Sequence, residues 1–268
     1  MKRFIPEAGS PDYATEEPFQ GLPSRKAGLH DTADIALRAD ALNQRYRDGS
    51  AMDVLRFALS DQQAGRVALV SSFGAESVVL LHMVALIDPA LPVLFLETGM
   101  LFPETLTYQQ EVSATLGLTD VRLIRPFPGD EDGTLHLRDT DACCNLRKTL
   151  PLQAALAEFD TWISGRKRFQ GGRRAAMEFF EPDDGAARLK VNPLAYWRPE
   201  DIRDYMEKNR LPRHPLVARG YASIGCAPCT SPVSAGEDPR AGRWRGRDKE
   251  ECGIHFVNGR AEREETPK

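Results

Sequence analysis

The stretch Val67-Ala68-Leu69-Val70-Ser71-Ser72-Phe73-Gly74-Ala75-Glu76-Ser77 opens on four apolar residues and runs into a loop of small residues and hydroxyls. A short apolar run without alternation suits a strand buried on both faces, as in a parallel sheet covered by helices. The residues that follow, to Ile87, predict a helix that stops before Asp88-Pro89. This is a strand, a loop and a helix in the order of a βα unit.

The pattern repeats downstream. Residues 92–96 predict a second buried strand that ends in Glu97-Thr98-Gly99. Pro103-Glu104 suits the first turn of a helix reaching about Leu116. Residues 121–124 and 161–164 predict a third and a fourth strand. Upstream, residues 32–59 read as two helices broken near Asp48-Gly49-Ser50. The fold expected is α/β: an open, mostly parallel sheet flanked by helices, with ligands outside the carboxyl ends of the strands. Residues 1–30, with Pro6, Pro11, Pro18 and Pro23, are expected to form a mobile arm. Residues 31–239 are expected to form the α/β domain and 240–268 an irregular tail. After a helix over 199–209, the Pro-, Gly- and Arg-rich remainder shows little periodicity and is expected to lie over the ligand edge.

Composition narrows the class. The chain has 268 residues and a net charge of −4, with 35 Lys+Arg against 39 Asp+Glu. That balance argues against a general nucleic-acid coat. The longest apolar run, from Val78 to Ile87, is interrupted by His82 and too short to span a bilayer. The beginning, Met1-Lys2-Arg3-Phe4-Ile5-Pro6, lacks the apolar stretch of a secretory leader, so a cytoplasmic location is expected. A reducing compartment makes a disulfide scaffold a poor account of five cysteines.

Three clusters could carry chemistry. The Ser71–Ser77 loop can present backbone N–H groups and hydroxyls to an anion, aided by the positive end of the following helix. It lacks the Gly-Lys-Ser/Thr ending of a Walker loop and equally suits an ordinary strand-to-helix turn capped by Ser77. Cys143-Cys144 and Cys226-Ala227-Pro228-Cys229 supply four thiols in two close pairs, the ligand count of zinc or an iron–sulfur cluster. An adjacent Cys-Cys fits a zinc knuckle poorly, and the pairing argues against mere small buried hydrophobes. Cys252, beside Gly253 and near Lys249 and His255, is a candidate nucleophile. Basic residues gather at Arg166-Lys167-Arg168 with Arg173-Arg174, and at Arg240, Arg243, Arg245 and Arg247. In an acidic chain they predict a local pocket for a small polyanion.

Together and in this order, the loop, Leu96-Glu97-Thr98-Gly99, Cys143-Cys144, Gly165 with Arg174, Cys226-Ala227-Pro228-Cys229 and Glu251-Cys252-Gly253-Ile254-His255 resemble one family. It is the assimilatory sulfonucleotide reductases, of the iron–sulfur type that reduces adenosine 5′-phosphosulfate. The resemblance spans about residues 35 to 256. It implies a fold related to the adenosine nucleotide α-hydrolases and a [4Fe-4S] cluster held by Cys143, Cys144, Cys226 and Cys229. It implies that Cys252 attacks the sulfate sulfur and displaces AMP, and that thioredoxin reduces the resulting S-sulfocysteine and releases sulfite, in sulfate assimilation and cysteine biosynthesis. The substrate-binding positions it implies are Ser71, Ser72, Ser77, Leu96, Thr98, Arg147, Lys148, Gly165, Arg174, Arg240, Arg243 and His255. Glu97 departs from the usual Asp, and Phe169 stands where an acidic or polar residue is common.

The rivals are a reductase of the 3′-phosphorylated sulfonucleotide, which typically lacks the Cys pairs, and an ATP-consuming enzyme of the same fold. The latter would need a loop nearer Ser-Gly-Gly-x-Asp-Ser. A zinc-stapled module binding nucleic acid or protein is the non-enzymatic reading. Neither nucleic acid nor membrane is an expected partner, and a homo-oligomer is left open.

Overall fold

The computed structural model describes residues 32–183, 186–247 and 249. The arm expected over residues 1–30, and the site residues Cys252 and His255, lie outside the described residues.

Six strands form one sheet: β1 Val67–Ser71, β2 Val93–Leu96, β3 Val121–Ile124, β4 Thr161–Ser164, β5 Phe180–Pro182 and β6 Leu189–Val191. Their order is β3-β2-β1-β4-β6-β5. All neighbours pair in parallel except β5 with β6. The first four match the sequence expectation, and β2 and β4 are buried throughout. The last two were not foreseen. Each is only three residues long, and β6 carries a buried lysine, Lys190, whose ammonium lies 5.1 Å from the Trp162 ring centroid.

Helices cover both faces. One face packs on α1 Thr32–Arg45, α2 Ala51–Ser60, α3 Ser77–Ala85, α4 Pro103–Leu116 and, as α8, Pro199–Lys208. On the other face, Leu152 and Leu156 of α7, Leu150–Leu156, meet Ala68, Leu94, Leu96 and Trp162. Local signals set the ends. A Ser50–Asp53 capping box opens α2, and Pro103 opens α4, which closes on Gly117 at φ 67°. Asn43 of α1 bonds both backbone groups of Phe180, at 2.8 and 2.9 Å, and so occupies the outer edge of β5.

Strand order reverses direction between β1 and β4, which opens a crevice at their carboxyl ends. Leading to it from the other side are two short helices, α5 Leu135–Arg138 and α6 Thr140–Cys144. A π-helical turn, Asn145–Thr149, then joins α6 to α7. Residues 211–247 contain only 3₁₀ turns and lie over this edge. The carbonyl of Ile224 sits so close above Gly74 that an added Cβ there would stand 3.3 Å from it. No helix among the described residues is long and apolar enough to cross a membrane.

Candidate active site

A cavity of about 250 Å³ occupies the crevice. Its lining includes Ser71 at the end of β1 with Ser72 and Ser77 beyond it, Leu96 at the end of β2 with Thr98 beyond it, and Gly165 and Arg174 after β4. Lys148 enters from the π-helical turn, and Arg240 and Arg243 come from the covering segment. The structure therefore brings ten of the expected substrate-binding residues to one space.

The loop after β1 is held by its own atoms. The Phe73 N–H donates to Ser71 Oγ at 3.2 Å, and the Gly74 N–H to Ser77 Oγ at 2.9 Å. Phe73 adopts φ 47°, the left-handed region that a bulky residue rarely occupies. Its buried ring stacks edge-on against Phe95, with centroids 5.1 Å apart, and that packing offsets the backbone cost. Ser77 is the first residue of α3 rather than its cap, and its hydroxyl serves the loop.

Arg147 does not line the cavity. Its guanidinium bonds Asp130 Oδ2 at 2.6 and 2.9 Å, the Asp130 carbonyl at 3.0 Å and the Thr98 carbonyl at 2.8 Å. The two neighbours on the π-helical turn thus diverge, Arg147 bracing the loops and Lys148 facing the site.

Of the two basic groups, Arg166, Lys167, Arg174, Arg240 and Arg243 line the cavity, and several members of both groups are also paired within the protein. Arg166 pairs with Glu181 at 3.2 Å, Lys167 with Glu76 at 2.6 Å, and Arg168 with Glu178. Arg245 is held bidentate by Glu237, with both contacts at 3.0 Å. Arg247 bonds the His136 carbonyl and Thr140 Oγ1 and reaches Cys229 Sγ at 3.8 Å. These side chains anchor the chain to itself. Arg240 and Arg243 alone of the later arginine group reach the cavity, and Arg243 crosses Gly225 so closely that a Cβ there would overlap its guanidinium.

All four paired cysteines are buried, and none is in a disulfide. Cys143 and Cys144 end α6, while Cys226 and Cys229 flank a 3₁₀ turn of the covering segment. The turn is pinned by the Ala227 N–H to the Met100 carbonyl, at 2.8 Å, and by a bridge between Leu101 and Cys226. Burial raises the Cys143 thiol, and the neighbouring Cys226 and Cys229 push it further up, against Arg147. Burial also raises Cys226, but Lys148, the Thr98 hydroxyl 3.2 Å away and Arg243 outweigh it and leave that thiol below its usual range. No three described His, Cys, Asp or Glu side chains stand close enough to hold a metal ion. The donor chemistry is nonetheless that of a thiolate-ligated centre: four buried thiols on two facing segments, with the Arg247 guanidinium donating to Cys229 Sγ and the Thr98 hydroxyl in hydrogen-bond contact with Cys226 Sγ.

Sequence reading missed Glu76, Asp130 and Asn192. The last is wholly buried and links Ser164 Oγ, at 2.5 Å, to Glu181, at 2.9 Å. A polar residue inside a short apolar run was the one available signal for Asn192. Glu76 and Asp130 have partners 91 and 17 residues away, which spacing does not reveal.

The phosphoadenosine phosphosulfate reductase domain matches residues 66–232. The chain is 47% identical over 227 residues to an adenosine 5′-phosphosulfate reductase of Mesorhizobium japonicum, covering 83% of this chain and 89% of that protein. It is 45% identical over 229 residues to the adenosine 5′-phosphosulfate reductase of Chelativorans sp., covering 83% and 93%. A solved phosphoadenylyl-sulfate reductase from Candida auris, in a phosphate complex, superposes with a TM-score of 0.62 at 24% identity. It covers 73% of this chain and 96% of that one, a likeness of fold.

Proposed function

We propose that this chain, which belongs to the phosphoadenosine phosphosulfate reductase family and groups there with the adenosine 5′-phosphosulfate reductases, reduces adenosine 5′-phosphosulfate to sulfite and AMP. The observation that carries the reading is the junction of two features. The cavity at the strand switch point shares Lys148, Thr98 and Arg243 with the pocket of buried thiols.

In this reading the loop after β1 and the start of α3 receive the phosphate, and Lys148, Arg240 and Arg243 receive the sulfate. The Cys252 thiolate attacks the sulfate sulfur. The bond from sulfur to the bridging oxygen breaks, and AMP leaves with that electron pair. Negative charge then grows on the phosphate side, where the loop after β1 and the positive end of α3 are already placed, so stabilisation rises toward the transition state. A thiolate of thioredoxin next attacks the Cys252 sulfur and expels sulfite. The second thioredoxin thiol closes a disulfide on the first and frees Cys252. Two electrons pass from the dithiol to sulfur.

Cys143, Cys144, Cys226 and Cys229 would hold a [4Fe-4S] cluster. When bound, it supplies a structural and electrostatic anchor between the covering segment and α6. The buried thiols also favour this substrate over its 3′-phosphorylated relative, whose reductases typically lack the two Cys pairs.

The test is sulfite release by the purified holoprotein with thioredoxin, combined with iron analysis. The reading expects iron in the wild type, far faster turnover of adenosine 5′-phosphosulfate than of the 3′-phosphorylated form, and loss of iron when any of the four cysteines becomes Ser. Equal turnover of both substrates, or full iron loading in those variants, would contradict it.

A further inference from the structure

We infer that Phe169 stacks on the purine base of the substrate and is a specificity-determining residue of this site; the inference rests on the nucleotide reading above. The ring lines the cavity yet is 36% exposed, and it has no ring partner among the described residues. An aromatic side chain left uncovered in a concave site is usually there for a ligand rather than for the core.

The turn that carries it is fixed on both sides. The Arg168 N–H donates to the Ala195 carbonyl at 2.9 Å, and the Arg168 guanidinium lies 4.2 Å from the Tyr196 ring centroid and pairs with Glu178. Gln170 Oε1 accepts from the Lys167 N–H at 3.2 Å and from the Arg174 guanidinium. With residues 167, 168 and 170 tied down, the ring of Phe169 is presented from a rigid mount and needs little ordering when a ligand arrives.

Charge decides which part of the ligand it meets. Beside Phe169, Glu76 matches Lys167 and Glu181 matches Arg166, while Arg174 is held by the neutral Gln170 amide. Leu80, Trp162 and Leu194 add apolar wall to the same cavity. Lys148 and Arg243 instead act on Cys226, whose segment pairs with the chain after β2. Since β2 and β4 flank β1 on opposite sides, these two ends lie roughly 10 Å apart, two strand spacings. A phosphosulfate belongs at the cationic end. The uncharged purine belongs at the end where Phe169 stands.

Calorimetry with AMP and with ribose 5-phosphate, which lacks the base, tests this on the holoprotein. Phe169→Ala should weaken AMP about 5- to 100-fold, the range of a lost base–aromatic stack. Ribose 5-phosphate should bind as it does to wild type. Phe169→Trp should keep AMP affinity, and the introduced indole should be quenched by AMP but not by ribose 5-phosphate. In turnover, Phe169→Ala should raise KM for adenosine 5′-phosphosulfate and leave kcat nearly unchanged. Equal weakening of both ligands, or unweakened AMP binding, would overturn the inference. Wild-type protein that binds neither ligand would overturn the nucleotide site itself, a distinguishable result.

Discussion

Glu76 and Lys167 show how a loop that looks built for an anion is held by an internal charge pair. Lys167 is almost wholly buried; burial pushes its ammonium pKa down, and Glu76 at 2.6 Å draws it back up. Glu76→Ala leaves that ammonium without its carboxylate. The expected loss is about 2–4 kcal/mol by urea denaturation, toward the lower side because the Glu76 side chain is 31% exposed. Glu76→Gln combined with Lys167→Met should lose less than Glu76→Ala alone, since no charge is then stranded. Arg147 makes a sharper case, because the Asp130 side chain it holds is only 1% exposed. Arg147→Ala should cost about 3–5 kcal/mol. Arg147→Lys should recover little, since an ammonium cannot span the Asp130 carboxylate, the Asp130 carbonyl and the Thr98 carbonyl at once. Thermal melting of the two variants checks both statements.

The 3₁₀ turn Pro215–Arg219 fastens the covering segment to α4 through His214. His214 Nδ1 accepts the Leu216 N–H, so Nε2 carries the proton and donates to Thr105 Oγ1 at 3.0 Å. The ring also packs on Tyr108, whose hydroxyl donates to the Pro212 carbonyl. Burial lowers the His214 pKa to about 4, against a weaker opposing pull from Glu104. The folded value lies below the unfolded one near 6.5, so the unfolded chain takes up the proton first as pH falls. Stability from neutral His214 is therefore complete above pH 6.5 and is lost on going down toward pH 4. The wild type should lose up to about 3 kcal/mol more than His214→Gln across that window, read from urea midpoints at each pH. Elements such as β1, β2 and β4 were readable because each is an unbroken apolar run. The pair β5 and β6 was not, since three residues and a buried Lys190 leave no period to detect. That omission also hid the internal pairing of the basic run at 166–168. Its carboxylate partners include Glu178 and Glu181, which lie just before and within β5.

Across the whole molecule, two distant stretches of chain meet at the thiols and close one cavity. The sequence showed the spacing of the cysteines and the hydroxyl-rich loop, so the site's membership was largely readable. Which cations are paired within the protein was not, because that depends on carboxylates brought close only by folding: Glu76 for Lys167, Asp130 for Arg147, Glu237 for Arg245. The central claim is that sulfur passes through this chain as an S-sulfocysteine on Cys252. The most direct measurement is intact-protein mass spectrometry, followed by digestion, after the holoprotein is mixed with adenosine 5′-phosphosulfate in the absence of thioredoxin. The account predicts the added mass of one SO₃ group on the peptide that contains Cys252, removed with release of sulfite when thioredoxin is supplied. An adduct on another residue, or sulfite release by Cys252→Ser at the wild-type rate, would contradict it.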